Sequence, residues 1–333
     1  MKKRGIIGLL AIAALAFTLA ACVSLDDAQE GSTGADLTRP ASIFISVDEL
    51  NALIQEGHPN LVILGVEPGS DTIPGSFILT LGQFTTVGGP YSEGSTVLHS
   101  RRTLAETEMI LSIAGITADS LVVVYTNAPH NAARMVWELT VLGLDVRYLD
   151  GGIPAWVAAG LPTGDSIDML TADVTPSEFR VVNYRHDEMN ISFAEIFHAI
   201  QNPDQWLIID SRTAEEFAGL EARMGRTIAG RIAGSINIDW QSAVVPGTGN
   251  HQIRPEAELR EIFAPALDGR SVIVFCHGAP RGAHSWMLLK ELGVDVYLFN
   301  GSWDAWAYAL DPANNHPYHE LVVQFTEELN HLQ

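Results

Sequence analysis

The chain repeats itself once, at a shift of 150 residues, and this duplication limits its possible folds more than any single motif does. Val122-Val123-Val124-Tyr125 aligns without gaps onto Val272-Ile273-Val274-Phe275. The same shift superposes Leu142-Gly143 on Leu292-Gly293, Asp145-Val146 on Asp295-Val296, Gly151 on Gly301 and Ala155-Trp156 on Ala305-Trp306. Upstream, with looser spacing, Ile45-Ser46 echoes Ile191-Ser192, and Ile73-Pro74-Gly75-Ser76 echoes Ile232-Ala233-Gly234-Ser235. A period this long is no solenoid. It predicts two copies of one domain, at 41–165 and 190–315. Residues 166–189 link them, and 316–333 form a tail with a short helix near 319–331. A length of 333 residues suits about two domains.

Each copy alternates between two periodicities. In the second, helical patterns cover 193–200, 255–263, 282–292 and 302–310. Apolar strand patterns cover 206–209, 271–275 and 295–299, and 233–238 reads as a turn into a short strand. Unbroken apolar strands between helices predict an α/β fold, with a mostly parallel sheet flanked by helices on both faces. Ligands in such sheets bind beyond the carboxyl ends of the strands. Cys276 is the first residue after one of those ends. Trp156 and Trp306, at repeat-equivalent positions, are expected in the cores.

The first forty residues are of another kind. Lys2-Lys3-Arg4, an apolar run from Ile6 to Leu19 and then small residues have the order of a secretory signal over 1–21. The apolar run is too short for an ordinary membrane span. Leu19-Ala20-Ala21-Cys22 resembles the bacterial lipobox, which implies cleavage before Cys22 and lipidation of its thiol. A soluble secreted product with an incidental Cys22 is the alternative. Residues 22–40 are small, polar and aperiodic, as in a flexible tether. The expected location is the cell envelope, lipid-anchored, on the periplasmic or extracellular face. The formal net charge is −21, becoming −24 without the leader's three basic residues. Such a surface repels nucleic acid and anionic lipid, and keeps a monomer soluble. The chain has two cysteines. Once Cys22 is acylated, Cys276 has no internal disulfide partner, which favours a reactive role for its thiol.

The loop Cys276-His277-Gly278-Ala279-Pro280-Arg281-Gly282 joins an apolar strand to a helical pattern. Small residues Gly278, Ala279 and Gly282 let successive backbone N–H groups point inward, and the following helix adds its positive end. Both favour thiolate, the nucleophilic form of cysteine. His277 and Arg281 add donors and positive charge at the rim. The bland reading of Cys276 is a small buried hydrophobe.

Cys276-His277-Gly278-Ala279-Pro280-Arg281 resembles the six-residue active-site loop of rhodaneses, the thiosulfate sulfurtransferases. Asp210-Ser211-Arg212 resembles the family's Asp-x-Arg at the end of an early strand. Gly230-Arg231-Ile232-Ala233-Gly234-Ser235-Ile236-Asn237-Ile238 resembles its Gly-His-Ile-Pro-Gly-Ala-x-Asn-Ile turn. Asn300-Gly301-Ser302-Trp303-Asp304-Ala305-Trp306 resembles the Asp/Asn-Gly-Ser-Trp-x-x-Trp segment of tandem members. This resemblance implies two rhodanese-like domains and no cofactor or metal. It implies a small sulfur donor (thiosulfate or 3-mercaptopyruvate), a persulfide on Cys276, and a thiol or cyanide acceptor. It also implies that His277 and Arg281 attract the donor's oxygens, and that Arg212 touches substrate or pairs with Asp210 beneath the loop. Some members carry a substrate-binding Arg four residues after the position of Arg212; here that residue is Glu216.

The first copy departs at the decisive position. Thr126 aligns with Cys276, and 61–67 offers no Asp-x-Arg. The first domain is therefore expected to be inactive and to serve as a wall of the cleft, with Arg134 and His130 as structural residues or substrate contacts. Two other functions stay open. A phosphatase or arsenate reductase would need Cys-x5-Arg, and Gly282 stands where its Arg belongs. A non-catalytic envelope module would carry Cys276 as a vestige. The pair His316 and His319 is the weakest candidate for a metal site, because Pro317 interrupts the helix that would align them.

Overall fold

The computed structural model describes residues 42–86, 100–168, 175–222, 228–247 and 252–327. The leader, the tether and Cys22 lie outside these described residues. Among the described residues no helix is long and apolar enough to cross a membrane.

The first copy runs β1 (Phe44–Ile45), α1 (Val47–Glu56), β2 (Leu61–Val66), β3 (Phe77–Leu79), α2 (Leu104–Ile113), β4 (Leu121–Thr126), α3 (Pro129–Val141), β5 (Asp145–Leu149), α4 (Gly152–Ala158) and β6 (Ile167–Asp168). Its strands form one parallel sheet in the order β1-β5-β4-β2-β3-β6. The second copy runs α5 (Phe193–Gln201), β7 (Trp206–Asp210), α6 (Ala214–Phe217), β8 (Ile236–Asn237), α7 (Glu256–Ile262), β9 (Ser271–Phe275), α8 (Pro280–Glu291), β10 (Val296–Leu298), α9 (Ser302–Leu310) and α10 (His319–Gln324). Its parallel sheet has the order β8-β7-β9-β10. An isolated parallel bridge from Asn190 to Leu298 stands where β1 stands in the first copy. Apart from β6, which has no counterpart in the second sheet, the two halves thus share one strand order.

The repeated sequences do repeated local work. Ser46 and Ser192 are N-caps of α1 and α5, each in a reciprocal capping box with Glu49 or Glu195. The central strands alternate with the strand period of two. Val122 and Val124 of β4, and Val272 and Val274 of β9, belong to one continuous hydrophobic core. Val123 and Tyr125 face a separate outer core with Ile153 and Trp156. Ile273 and Phe275 face another, with Phe193, Trp303 and Trp306. The continuous core runs through both copies because α3 and α8 pack on one another, bringing Trp137 and Met287 into the same cluster. Between the copies, Ile43 N donates to Glu291 Oε2 (2.9 Å) and Ile253 N to Asp150 Oδ1 (3.0 Å).

The tail closes the outer face of the second copy. Tyr318 and Phe325 pack against Phe193 and Phe197. The helix expected near 319–331 ends at Gln324. Thr326–Glu327 then pairs antiparallel with Arg231–Ile232, and Trp306 Nε1 donates to Thr326 Oγ1 (2.8 Å). His316 is buried in this aromatic cluster, and His319 Nδ1 lies 2.9 Å from Ala309 O. Among the described residues no group of three metal-ligating side chains assembles.

Candidate active site

Cys276 leaves β9 directly and is held by α9. Its carbonyl accepts from Trp303 N (2.9 Å), and the His277 carbonyl accepts from Asp304 N (2.8 Å). Its own N–H donates to Ser302 Oγ (3.3 Å), which in turn donates to Phe299 O (3.0 Å). Ser302 makes these contacts from a left-handed backbone, at φ 54°. Its repeat equivalent is Gly152, also at φ 54°, where a Cβ would lie 2.3 Å from Thr126 O. A serine there accepts strain of order 1–3 kcal/mol that glycine avoids. What it gains is a hydroxyl on the amide of Cys276. In sequence Ser302 stands only within the Asn300–Trp306 motif; the Gly152–Ser302 exchange between copies is the signal that singles it out.

The loop turns at Ala279, a non-glycine residue at φ 79°. The turn starts α8 at Pro280, two residues earlier than the periodicity predicts, with proline at the first helical position, where its fixed φ and missing N–H are tolerated. The positive end of α8 is correspondingly nearer Cys276. Gly282, which the sequence places where loop and helix meet, lies inside the helix. Its reason is space, because an added Cβ would stand 3.1 Å from the Phe275 backbone and 3.1 Å from Leu298. Cys276, His277, Gly278, Ala279 and Pro280 are all buried.

The charges around the loop differ from the sequence expectation. Arg281 is not a free cation at the rim. Its guanidinium grips Glu216 through two bonds, Nη1 to Oε2 (2.6 Å) and Nη2 to Oε1 (3.0 Å). Burial opposes the charge of both groups. The mutual hydrogen bonds override it, holding the Glu216 carboxyl down at about 2 and Arg281 above the usual arginine range. Glu216 thus serves as the partner of Arg281, a pairing across 65 residues that spacing alone does not reveal.

Arg212 adopts the paired arrangement. Nε and Nη2 engage both carboxylate oxygens of Asp210 (2.6–3.0 Å), and Nη2 also donates to Gly230 O (2.9 Å). Its guanidinium carbon lies 4.6 Å from the Trp303 ring centroid. Burial pushes the Asp210 carboxyl above its usual range even with Arg212 against it. Asn237 Nδ2 donates to the carbonyls of Asp210 and Arg212, tying the Ile236–Asn237 strand under the loop. His277 is inside as well, 4% exposed, and burial pushes its imidazole below the ordinary value against the pull of Asp304. The expectation of a cationic His277 at the rim is therefore corrected: the desolvated ring favours its neutral form.

Sheet register shows what the first copy carries at the corresponding places. Gly65 pairs with Tyr125 as Asp210 pairs with Phe275, so Glu67 occupies the place of Arg212. Glu67 sits at φ 50° and accepts from Leu81 N (3.2 Å) and Asn131 Nδ2 (2.6 Å). Thr126 is buried. Its hydroxyl donates to Val66 O (2.6 Å) and accepts from Ala128 N (2.7 Å). A threonine has no thiol to carry sulfur, and this loop is closed by its own side chains. Arg134 is buried and donates through Nη2 to Glu138 Oε1 (2.6 Å), which fits its structural reading. His130 packs edge-on against Trp240 of the second copy (5.2 Å), and Trp240 packs likewise against His284.

Two copies of one parallel α/β fold, with a cysteine loop in only one of them, define a tandem cysteine-loop protein. The rhodanese-like domain profile matches residues 46–159 and 193–309, and the chain belongs to that family. It is 34% identical over 212 residues to a thiosulfate sulfurtransferase of Corynebacterium glutamicum, covering 59% of this chain and 66% of that one. It is 30% identical over 279 residues to SseB of Mycobacterium tuberculosis, covering 80% and 94%. The 3-mercaptopyruvate sulfurtransferase structure from Leishmania major superposes with a TM-score of 0.67 at 19% identity, covering 86% and 78%, which shows a shared fold.

Proposed function

We propose that this rhodanese-type sulfurtransferase moves sulfane sulfur from thiosulfate or 3-mercaptopyruvate to a thiol or cyanide, through a persulfide on Cys276. The observation that carries the reading is the placement of Cys276: first after β9, its amide capped by Ser302 and its loop leading into the positive end of α8. The Cys276 thiolate attacks the transferable sulfur of the donor, the outer sulfur of thiosulfate or the thiol sulfur of 3-mercaptopyruvate. A sulfur–sulfur bond forms, the donor's bond to that sulfur breaks, and the electron pair leaves with sulfite or pyruvate enolate. An acceptor then takes the sulfur and the pair returns to Cys276. This is covalent catalysis with ping-pong kinetics, assisted by the loop's fixed dipoles.

Gly282 speaks against phosphatase chemistry. The arginine that Cys-x5-Arg requires would have to start from a Cβ 3.1 Å from the Phe275 backbone. Purified protein is expected to release sulfite from thiosulfate in the presence of cyanide, to lose that activity in Cys276→Ser, and to leave aryl phosphates intact. Phosphate release without thiocyanate formation contradicts the reading.

The leader supports the further reading that the enzyme works at the cell envelope, anchored by lipid on Cys22. Labelled fatty acid should enter the wild-type chain in a bacterial host and not Cys22→Ala. Equal partition of both into the aqueous phase contradicts the anchor.

A further inference from the structure

Resting on that sulfurtransferase reading, we propose that His277 takes the proton from an incoming acceptor thiol in the second half-reaction. His277 is adjacent in sequence to Cys276, yet the residue is only 4% exposed and its buried Nε2 makes no hydrogen bond. A buried imidazole nitrogen without a partner is unfavourable, and a spacer residue has no need of one. The repeat supplies the comparison: Asn127, which holds the equivalent place beside Thr126, is exposed. The catalytic copy has drawn this side chain inward. Its backbone is fixed there, since the His277 carbonyl accepts from Asp304 N at 2.8 Å.

The charged groups that act on the ring are Asp304 of α9, Glu216 of α6, Arg281 of α8, and Arg212 just after β7. Burial, more than any of them, favours the neutral ring, with Asp304 placed to steady the imidazolium once it forms. Glu216 and Arg281 bind each other, and Arg212 binds Asp210. His277 is thus a neutral base next to the nucleophile in the chain, with Glu216, Arg281 and Arg212 already engaged in ion pairs.

The step balances without an added reagent. The acceptor thiol gives its proton to an imidazole nitrogen of His277. The resulting thiolate attacks the outer sulfur of the Cys276 persulfide, and the imidazolium returns the proton to that sulfur. The bond between Cys276 and the outer sulfur breaks, its electron pair stays on Cys276, and the acceptor leaves as a neutral persulfide.

The test loads Cys276 from thiosulfate, removes the donor, and follows discharge to 2-mercaptoethanol and to a thiophenol already ionised at neutral pH. His277→Asn should lose discharge to the alkyl thiol roughly a hundredfold more than to the thiophenol. Equal losses, or none, overturn the proposal. A second readout needs no variant. With a built-in base, wild-type discharge to the alkyl thiol levels off above the histidine titration, which burial sets below the ordinary value of about 6.5. A rate rising about tenfold per pH unit through neutrality, as for free thiolate attack, overturns it. Failure of Cys276 to load sulfur overturns the sulfurtransferase reading and this proposal together. Loading followed by indiscriminate discharge overturns this proposal alone.

Discussion

Glu216 and Arg281 show how one ion pair sets both the charge of the loop and its response to acid. Glu216 has a folded-state value of about 2 against an ordinary 4.5. A depressed carboxyl contributes stability that is fully present above the unfolded value and lost as pH falls through the folded one. Wild type should therefore lose on the order of 3 kcal/mol more than Glu216→Gln between about pH 5 and pH 2. Denaturant midpoints across that range check it, and parallel curves for the two proteins contradict it. Ser302→Ala removes the acceptor from the Cys276 amide, with an expected cost of about 1–2 kcal/mol in stability, measurable by urea unfolding. At this scale the sequence made legible what lies close together in the chain: Cys276, its loop, and the Asp210–Arg212 pair two residues apart. It hid what folding brings together, namely Arg281 with Glu216, Ser302 with Cys276, and the burial of His277.

The elements were legible where periodicity is strong and less so where a single backbone angle decides. Both central strands read as apolar runs, and β9 falls on the predicted residues 271–275. The start of α8 did not, because Ala279 adopts a positive φ that composition does not advertise in a non-glycine residue. Gly282 shows the same limit: it reads as loop flexibility, while in the fold it lets α8 lie close against the end of β9. Gly282→Ala should therefore destabilise by about 1–3 kcal/mol, although alanine is the better helix former. A stability gain in chemical unfolding would show that close approach is not the reason for glycine there.

The whole molecule is a duplication whose copies differ at the cysteine position, Thr126 against Cys276. The repeat was plain in sequence because the strands and helix ends of each copy need the same residue types. The shared interior was not, since apolar residues on α3 and α8 would equally suit two separate cores. In the structure Trp137, Val136, Met287 and Leu288 belong to one cluster, and the described residues of both copies form one compact unit. Unfolding should accordingly be a single transition, with near- and far-ultraviolet signals coincident. Two resolved transitions would mean that the copies are independent. This arrangement lets a first copy with Thr126 and Glu67 in place of Cys276 and Arg212 support a second copy that carries the thiol. The most direct test of that division is intact mass after treatment with thiosulfate and removal of the donor. Wild type should gain the mass of about one sulfur atom, discharged by cyanide, and Cys276→Ser should gain none. An unchanged wild-type mass, or an equal gain on Cys276→Ser, would contradict the account.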